Sequence, residues 1–139
     1  DSNTSTIYTI TNGKVETVHA DATLGGTNGI LVEENTIYLA GYGSGNVYRM
    51  DMTTKSVEKI ATDVPGGDGI VRYGEDLLVS NWNGQVYHVT MDGVVTLLLD
   101  SQEAKLNAAD IEVIADKNLL LVPTFFGNGV TAYELKENK

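Results

Sequence analysis

The chain has 139 residues, 42% hydrophobic and 20% charged, a composition typical of a folded globular protein with an apolar core. Its formal net charge of −10, from 19 acidic against nine basic side chains, argues against partners such as nucleic acid or an anionic membrane surface. The absence of cysteine excludes disulfides and thiolate chemistry, and no apolar run approaches the roughly 20 residues of a membrane-inserting helix.

The sequence repeats itself with a period of about 40 residues. Residues 25–30, Gly-Gly-Thr-Asn-Gly-Ile, return at residues 65–70 as Pro-Gly-Gly-Asp-Gly-Ile. Tyrosines recur at almost the same interval, at Tyr8, Tyr48 and Tyr87. Internal periods of this length are typical of propellers and repeat arrays.

Each repeat predicts four short β-strands. Runs rich in β-branched and aromatic residues are separated by turn dipeptides such as Asn83-Gly84 and Asp92-Gly93. In chain order, the strands predicted for the two complete repeats are residues 30–32, 36–40, 47–50, 57–60, 70–72, 77–80, 86–89 and 94–99. The segment 101–108 predicts one helical turn between repeats.

Four antiparallel strands in about 40 residues indicate a propeller blade, with the first strand at the axis and the fourth at the rim. The predicted fold is therefore all-β, a propeller arc of about three four-stranded blades. The register assigns the last two strands of one blade to residues 1–24, whole blades to 25–64 and 65–105, and three strands of a closing blade to 106–139.

An open arc of blades would leave two apolar blade faces in water, which drives association. We therefore expect a partner, either the missing amino-terminal half of a larger propeller or a second copy of the chain in a homodimer. The chain begins at Asp1 within a repeat, so we also expect a soluble protein whose leader lies outside these residues. A bacterial periplasmic or exported location is one hypothesis.

Polar and aromatic residues recur where the first strand of a blade begins and the second ends. Asn28, Asp68 and the neighbourhood of Asp110 begin the innermost strands of three successive blades. Because successive strands reverse direction, the ends of the second strands lie on the same face. The residues predicted there are Tyr42, Asn81, Trp82 and Phe125. Amide and carboxylate oxygens from adjacent blades would converge near the axis, and calcium prefers such oxygens.

Structural roles are the alternative for each of these residues. Asn or Asp before Gly is also typical of a turn residue that bonds its own backbone, and the aromatic residues could pack between blades rather than stack on a ligand. When Ile111 is aligned with Ile70, Asp110 is offset by one residue from the position of Asp68. Asp110 is therefore predicted to be a pocket neighbour and not a ligand.

Two phrases carry a family resemblance. Asn28-Gly29-Ile30 followed by Ile37-Tyr38-Leu39-Ala40, and Asp68-Gly69-Ile70 followed by Leu78-Val79-Ser80-Asn81-Trp82, resemble blades of the gluconolactonase and regucalcin (senescence marker protein) family. That family consists of six-bladed propellers, and the chain is similar to their carboxyl half. Residues 119–126 are similar to runs in uncharacterised bacterial members.

The resemblance implies a site and a reaction. Asn28 and Asp68 would bind a divalent metal, most simply calcium with zinc as an alternative, together with a Glu from the first blade, which is not among these residues. Asp68 would also be the general base that activates water for attack on a lactone carbonyl, with the metal as Lewis acid.

Two classes of function follow. The first is half of a metal-dependent hydrolase of sugar-acid lactones or related esters, active only when the other half completes it. The second is a non-catalytic propeller, either one whose same face binds a small molecule or a protein partner, or a repeat scaffold like that of NHL-repeat proteins. Fold likeness does not choose between them.

Overall fold

The computed structural model describes residues 1–136, which form an all-β structure. Its strands are β1 (Thr6–Thr11), β2 (Lys14–Ala20), β3 (Thr27–Glu33), β4 (Thr36–Gly41), β5 (Val47–Asp51), β6 (Val57–Ala61), β7 (Gly67–Tyr73), β8 (Asp76–Asn81), β9 (Gln85–Val89), β10 (Val95–Asp100), β11 (Glu112–Ile114), β12 (Leu119–Pro123) and β13 (Val130–Glu134). Three-residue 3-10 helices occur at Ala22–Leu24, Ala115–Lys117 and Phe125–Gly127. Within residues 1–136, no helix has the length and apolarity needed to cross a membrane.

The strands form four antiparallel sheets in which sequence neighbours pair. The first sheet is β1-β2, the second β3-β4-β5-β6, the third β7-β8-β9-β10 and the fourth β11-β12-β13. Segment 101–108, between the third and fourth sheets, contains a turn in which Lys105 N donates to Gln102 O at 2.9 Å. Up-and-down sheets connected in this order are the architecture of propeller blades. The predicted fold class, an all-β propeller arc, is confirmed.

The first strands of successive sheets lie against one another. β3 contacts β7, and β7 contacts β11. Glycine makes the approach possible, because a Cβ on Gly69 would lie 2.7 Å from Ile111 N and 2.8 Å from the Asp110 Cα. The sheets therefore converge along the side that carries β3, β7 and β11.

The apolar core lies in layers between the sheets. Val47, Leu77 and Val79 are fully buried between the second and third sheets, whereas Leu78 and Val86 are buried between the third and fourth. Alternate residues of β8 thus enter opposite layers, as the period of two in a strand requires. A third layer, between the first and second sheets, includes Ile7, Ile37, Leu39 and Met50.

One inner strand keeps an apolar face exposed. Ile30 pairs with Leu39 across β3 and β4, so the two side chains lie on the same face of the second sheet. The two-stranded first sheet covers Leu39, which is 1% exposed, but leaves Ile30 52% and Val32 57% exposed. In the next sheet, Ile70 occupies the position of Ile30 and is 5% exposed.

Candidate functional site

Two matching β-bulges position Asn28 and Asp68. β3 carries one extra residue between Thr27 and Ile30 relative to its partner β4, and β7 has the same irregularity one repeat later. A bulge interrupts the ladder and redirects a side chain. Asn28 and Asp68 therefore project from equivalent points of two adjacent sheets. Both lie on the side of the sheets where β3 and β7 begin and β4 and β8 end.

The side chains of Asn28 and Asp68 contact each other. The Asn28 Nδ2 donates a hydrogen bond to the Asp68 Oδ1 across 40 residues of sequence. Asn28 is exposed and Asp68 is half-buried. The sequence-predicted pair is therefore brought together at an accessible position.

A second carboxylate acts on the same site. Burial raises the pKa of Asp68 above its ordinary value, the negative charge of Asp110 raises it further, and the hydrogen bond from Asn28 opposes both effects. Asp110 itself is exposed. The site thus holds negative charge at an electrostatic cost, which a bound cation would reduce.

A buried serine ties together the segments that carry the two aspartates. The Ser80 hydroxyl accepts a hydrogen bond from Gly69 N at 2.7 Å and donates one to Ala109 O at 2.8 Å. Gly69 follows Asp68, and Ala109 precedes Asp110. Sequence reasoning missed Ser80, although the repeat contains a signal, since the preceding copy has Ala40 at this buried position.

Asn81 has a structural role in this geometry. Its side chain is 1% exposed, and its amide nitrogen donates to Pro65 O and to Gln85 Oε1. Its Oδ1 accepts from Asn83 N at 2.6 Å. The bonds with Asn83 and Gln85 are local to the turn, as expected of the turn-residue alternative, and the bond to Pro65 ties this turn to the segment before β7.

Aromatic rings gather beside the bulges. Trp82 and Phe125 meet edge to face with centroids 4.8 Å apart, and Phe126 contacts Phe125 at 4.9 Å. Sequence analysis did not assign Phe126 to the site. Tyr42, 47% exposed, occupies the position of Trp82 in the second sheet, where its N donates to Gly26 O just as Trp82 N donates to Gly66 O.

The oxygen atoms at this site are of the type that calcium binds, but they are fewer than calcium usually takes. Across residues 1–136, no group of three or more His, Asp or Glu side chains is arranged to bind a metal ion. Asn28, Asp68 and Asp110 provide an amide and two carboxylates, which are hard oxygen donors of the kind calcium takes in groups of about six to eight. Further ligands would have to come from water or from another part of the assembly.

Comparisons with known proteins identify the fold. No protein-family model and no curated sequence matches the chain. A chain of a nidogen/laminin complex matches 93% of it with a TM-score of 0.70 at 12% identity. The computationally designed Ika4 protein matches 97% with a TM-score of 0.64 at 9% identity. A calcium-binding protein, regucalcin from Agrobacterium tumefaciens, matches 86% with a TM-score of 0.64 at 22% identity.

These likenesses differ in how much of the other chain they cover. The chain spans 82% of Ika4, but 58% of the chain from the nidogen/laminin complex and 44% of the regucalcin chain. At identities of 9–22% they support the propeller-like all-β fold alone.

Proposed function

We propose that the chain forms the carboxyl half of a six-bladed, metal-dependent lactone hydrolase, with Asn28 and Asp68 as metal ligands and Asp68 as the general base. The observation that carries the proposal is the contact between these two side chains, which project from matching bulges of adjacent sheets. The Asn28 amide donates to the Asp68 carboxylate in the next sheet, whereas a turn residue with a purely local role would bond its own backbone.

Electrostatics favours a divalent cation at this point. Burial and the charge of Asp110 both raise the pKa of Asp68, so the ionised form lies in an unfavourable environment. A bound cation would offset both effects, and the Asn28 Oδ1 would coordinate it after rotation of the amide. Oxygen donors make calcium the preferred metal over zinc, which favours nitrogen and sulfur.

The reaction assigns separate tasks to the site residues. The bound metal would polarise the lactone carbonyl. Asp68 would accept a proton from the attacking water. Before the metal binds, Asn28 holds the Asp68 carboxylate in place, and Ser80 anchors the backbone beside it.

The site would be completed by further propeller sheets. Ile30 and Val32 present an apolar face beside Asn28, and apolar faces of this kind favour association. The remaining half of the propeller, or a second copy of the chain, would cover this face and bring additional oxygen ligands to the metal.

Calcium titration of the chain, followed calorimetrically, tests the proposal together with a lactone hydrolysis assay on the assembled protein. Asp68→Asn should weaken calcium binding by at least about ten-fold and abolish hydrolysis, because it removes a charged ligand and the base. Asp116→Asn, which neutralises an exposed aspartate elsewhere, is the matched control and should change neither. Unchanged affinity and turnover in Asp68→Asn would overturn the assignment.

A further inference from the structure

Three aromatic side chains form an exposed apolar cluster, here called the aromatic wall: Trp82, Phe125 and Phe126. Their rings meet edge to face, with centroids 4.8–6.3 Å apart. Phe125 is 56% and Phe126 72% exposed, while Trp82 is half-buried. Exposed apolar clusters are typical of binding surfaces.

The backbone at Phe125 is unusual for an aromatic residue. Its φ of +43° lies in the left-handed region, where glycine is favoured and a residue with a bulky side chain is strained. The loop thus holds a ring where glycine would satisfy the turn more easily. Strained backbone of this kind is concentrated at binding sites.

Backbone hydrogen bonds place the aromatic wall at the border of the Asn28–Asp68 site. Trp82 N donates to Gly66 O at 3.0 Å, two residues before Asp68. Ala109 N donates to Pro123 O at 3.1 Å, which links the residue before Asp110 to the residue two before Phe125. Two residues of extended chain span about 7 Å, so the backbone segments that carry the aromatic wall lie beside the segments that carry Asp68 and Asp110.

The loops that carry the rings are held at fixed points. The Asn107 Nδ2 donates to Trp82 O at 2.9 Å, and the buried Thr124 hydroxyl donates to Gly129 O at 3.0 Å. These hydrogen bonds fix the backbone of the loops, so the rings of the aromatic wall are held in a defined arrangement.

We propose that the aromatic wall binds an apolar substituent of the substrate, so that the protein prefers lactones or esters bearing an alkyl or aryl group over polyhydroxylated sugar-acid lactones. Aromatic rings contribute apolar area and stacking but few hydrogen bonds, whereas sugar hydroxyls lose hydrogen bonds when placed against them. The choice of a lactone or ester rests on the proposed function, but binding of the apolar group does not.

Trp82 offers a direct probe of binding, since it is the chain's single tryptophan. The full chain is titrated with two lactams that resist hydrolysis, one with a hexyl substituent and one without, while tryptophan fluorescence is recorded. The hexyl lactam should change the emission and saturate. The unsubstituted lactam should bind at least roughly five-fold more weakly, because it lacks the group that packs on the rings.

Variants separate the wall from other exposed apolar residues. Phe126→Ala should weaken binding of the hexyl lactam roughly five-fold, whereas Ile10→Ala, which changes a residue that is also 72% exposed, should leave it unchanged. Phe125→Gly removes a ring and relieves its left-handed backbone, so it should weaken binding without lowering the melting temperature.

The outcomes distinguish this inference from the proposed function. Saturable binding of the hexyl lactam that depends on Phe126 would support the aromatic wall, even if the assembled protein hydrolyses no lactone. The lack of hydrolysis would count against the proposed hydrolase function only. Equal binding of both lactams, or no effect of Phe126→Ala, would overturn the proposal that the aromatic wall binds the substituent. Hydrolysis that depends on Asp68 would still support the proposed hydrolase function.

Discussion

At the scale of single residues, the site depends on how three side chains share charge. Asp68 is half-buried near the exposed Asp110; both features raise its pKa, and the Asn28 hydrogen bond opposes them. A carboxylate with a raised pKa binds its proton more tightly in the folded protein than in the unfolded chain. Its ionisation therefore costs folding stability as the pH rises through that raised pKa.

We predict that Asp68→Asn stabilises the calcium-free chain near neutral pH, because it removes this cost. The advantage should disappear as the pH falls below the ordinary pKa of aspartate, where the wild-type carboxyl is protonated in both states. Urea denaturation across pH measures the difference. Excess calcium should reverse the order by binding the folded wild type, and equal stability of the two proteins at every pH would contradict the prediction.

The same electrostatics predicts the effect of Asp110→Asn. Removing the neighbouring charge should lower the pKa of Asp68, since Asp110 is the second cause of its elevation after burial. Carboxyl-carbon NMR titration without calcium reports the shift. Asp116→Asn provides the control, and an Asp68 pKa that is unmoved by Asp110→Asn would place the two carboxylates too far apart to share a site.

The buried hydroxyl of Ser80 provides a third prediction at this scale. Ser80→Ala leaves Gly69 N and Ala109 O without this partner, which should cost about 1–3 kcal/mol in the free energy of unfolding. Exposed Ser56→Ala should change it by less than about 0.5 kcal/mol. Equal small effects in urea denaturation would show that Ser80 does not hold the two segments.

At the scale of strands, the close approach of β7 and β11 decides whether the two aspartates meet. Gly69 lies where the third and fourth sheets come nearest, and any side chain there would push Asp110 and Ile111 away. The matching bulges then point Asn28 and Asp68 toward each other. Packing between inner strands and bulge geometry thus act together on the site.

Gly69→Ala should destabilise the chain by about 1–3 kcal/mol, because its Cβ would lie 2.7 Å from Ile111 N in a packed layer. Gly129→Ala is the control, since the nearest atoms to its new Cβ are 3.8 Å away. The measurement is thermal or urea unfolding, with the Asp68 pKa as a second readout. A Gly69→Ala protein as stable as the control would mean that the strands have room to separate.

At the scale of the whole molecule, the arc has an uncovered apolar face on β3. Ile30 and Val32 are each more than half exposed, although the equivalent Ile70 is buried by the neighbouring sheet. A face that packs in one repeat is thus in contact with solvent in another. This asymmetry favours association of the arc with further sheets.

We predict that the chain self-associates in a concentration-dependent manner and that Val32→Lys weakens this association by placing a charge on the face. Val94→Lys, at a residue 55% exposed near the rim, should not weaken it. Sedimentation velocity over a wide concentration range provides the measurement. A wild-type chain that remains monomeric at high concentration would contradict the prediction.

Local sequence patterns predicted most of the fold and part of the site. The 40-residue repeat and the alternation of strand and turn residues predicted the propeller arc, because strand periodicity and turn chemistry are local properties. The same register singled out Asn28 and Asp68. The structural role of Asn81 was named as an alternative, and it depends partly on Asn83, a partner two residues away in sequence.

The tertiary structure decided what local patterns could not. The proximity of Asp110 to Asp68, the bridge through Ser80 and the meeting of Trp82 with Phe125 and Phe126 all join different sheets. Such contacts depend on the geometry of the β-bulges and on how closely the inner strands pack at glycine. Neither property appears as a periodic pattern in the amino-acid sequence. The sequence by itself therefore determined the strands of the propeller arc and singled out one pair of candidate site residues, whereas packing between sheets determined the charge around that pair and the aromatic wall.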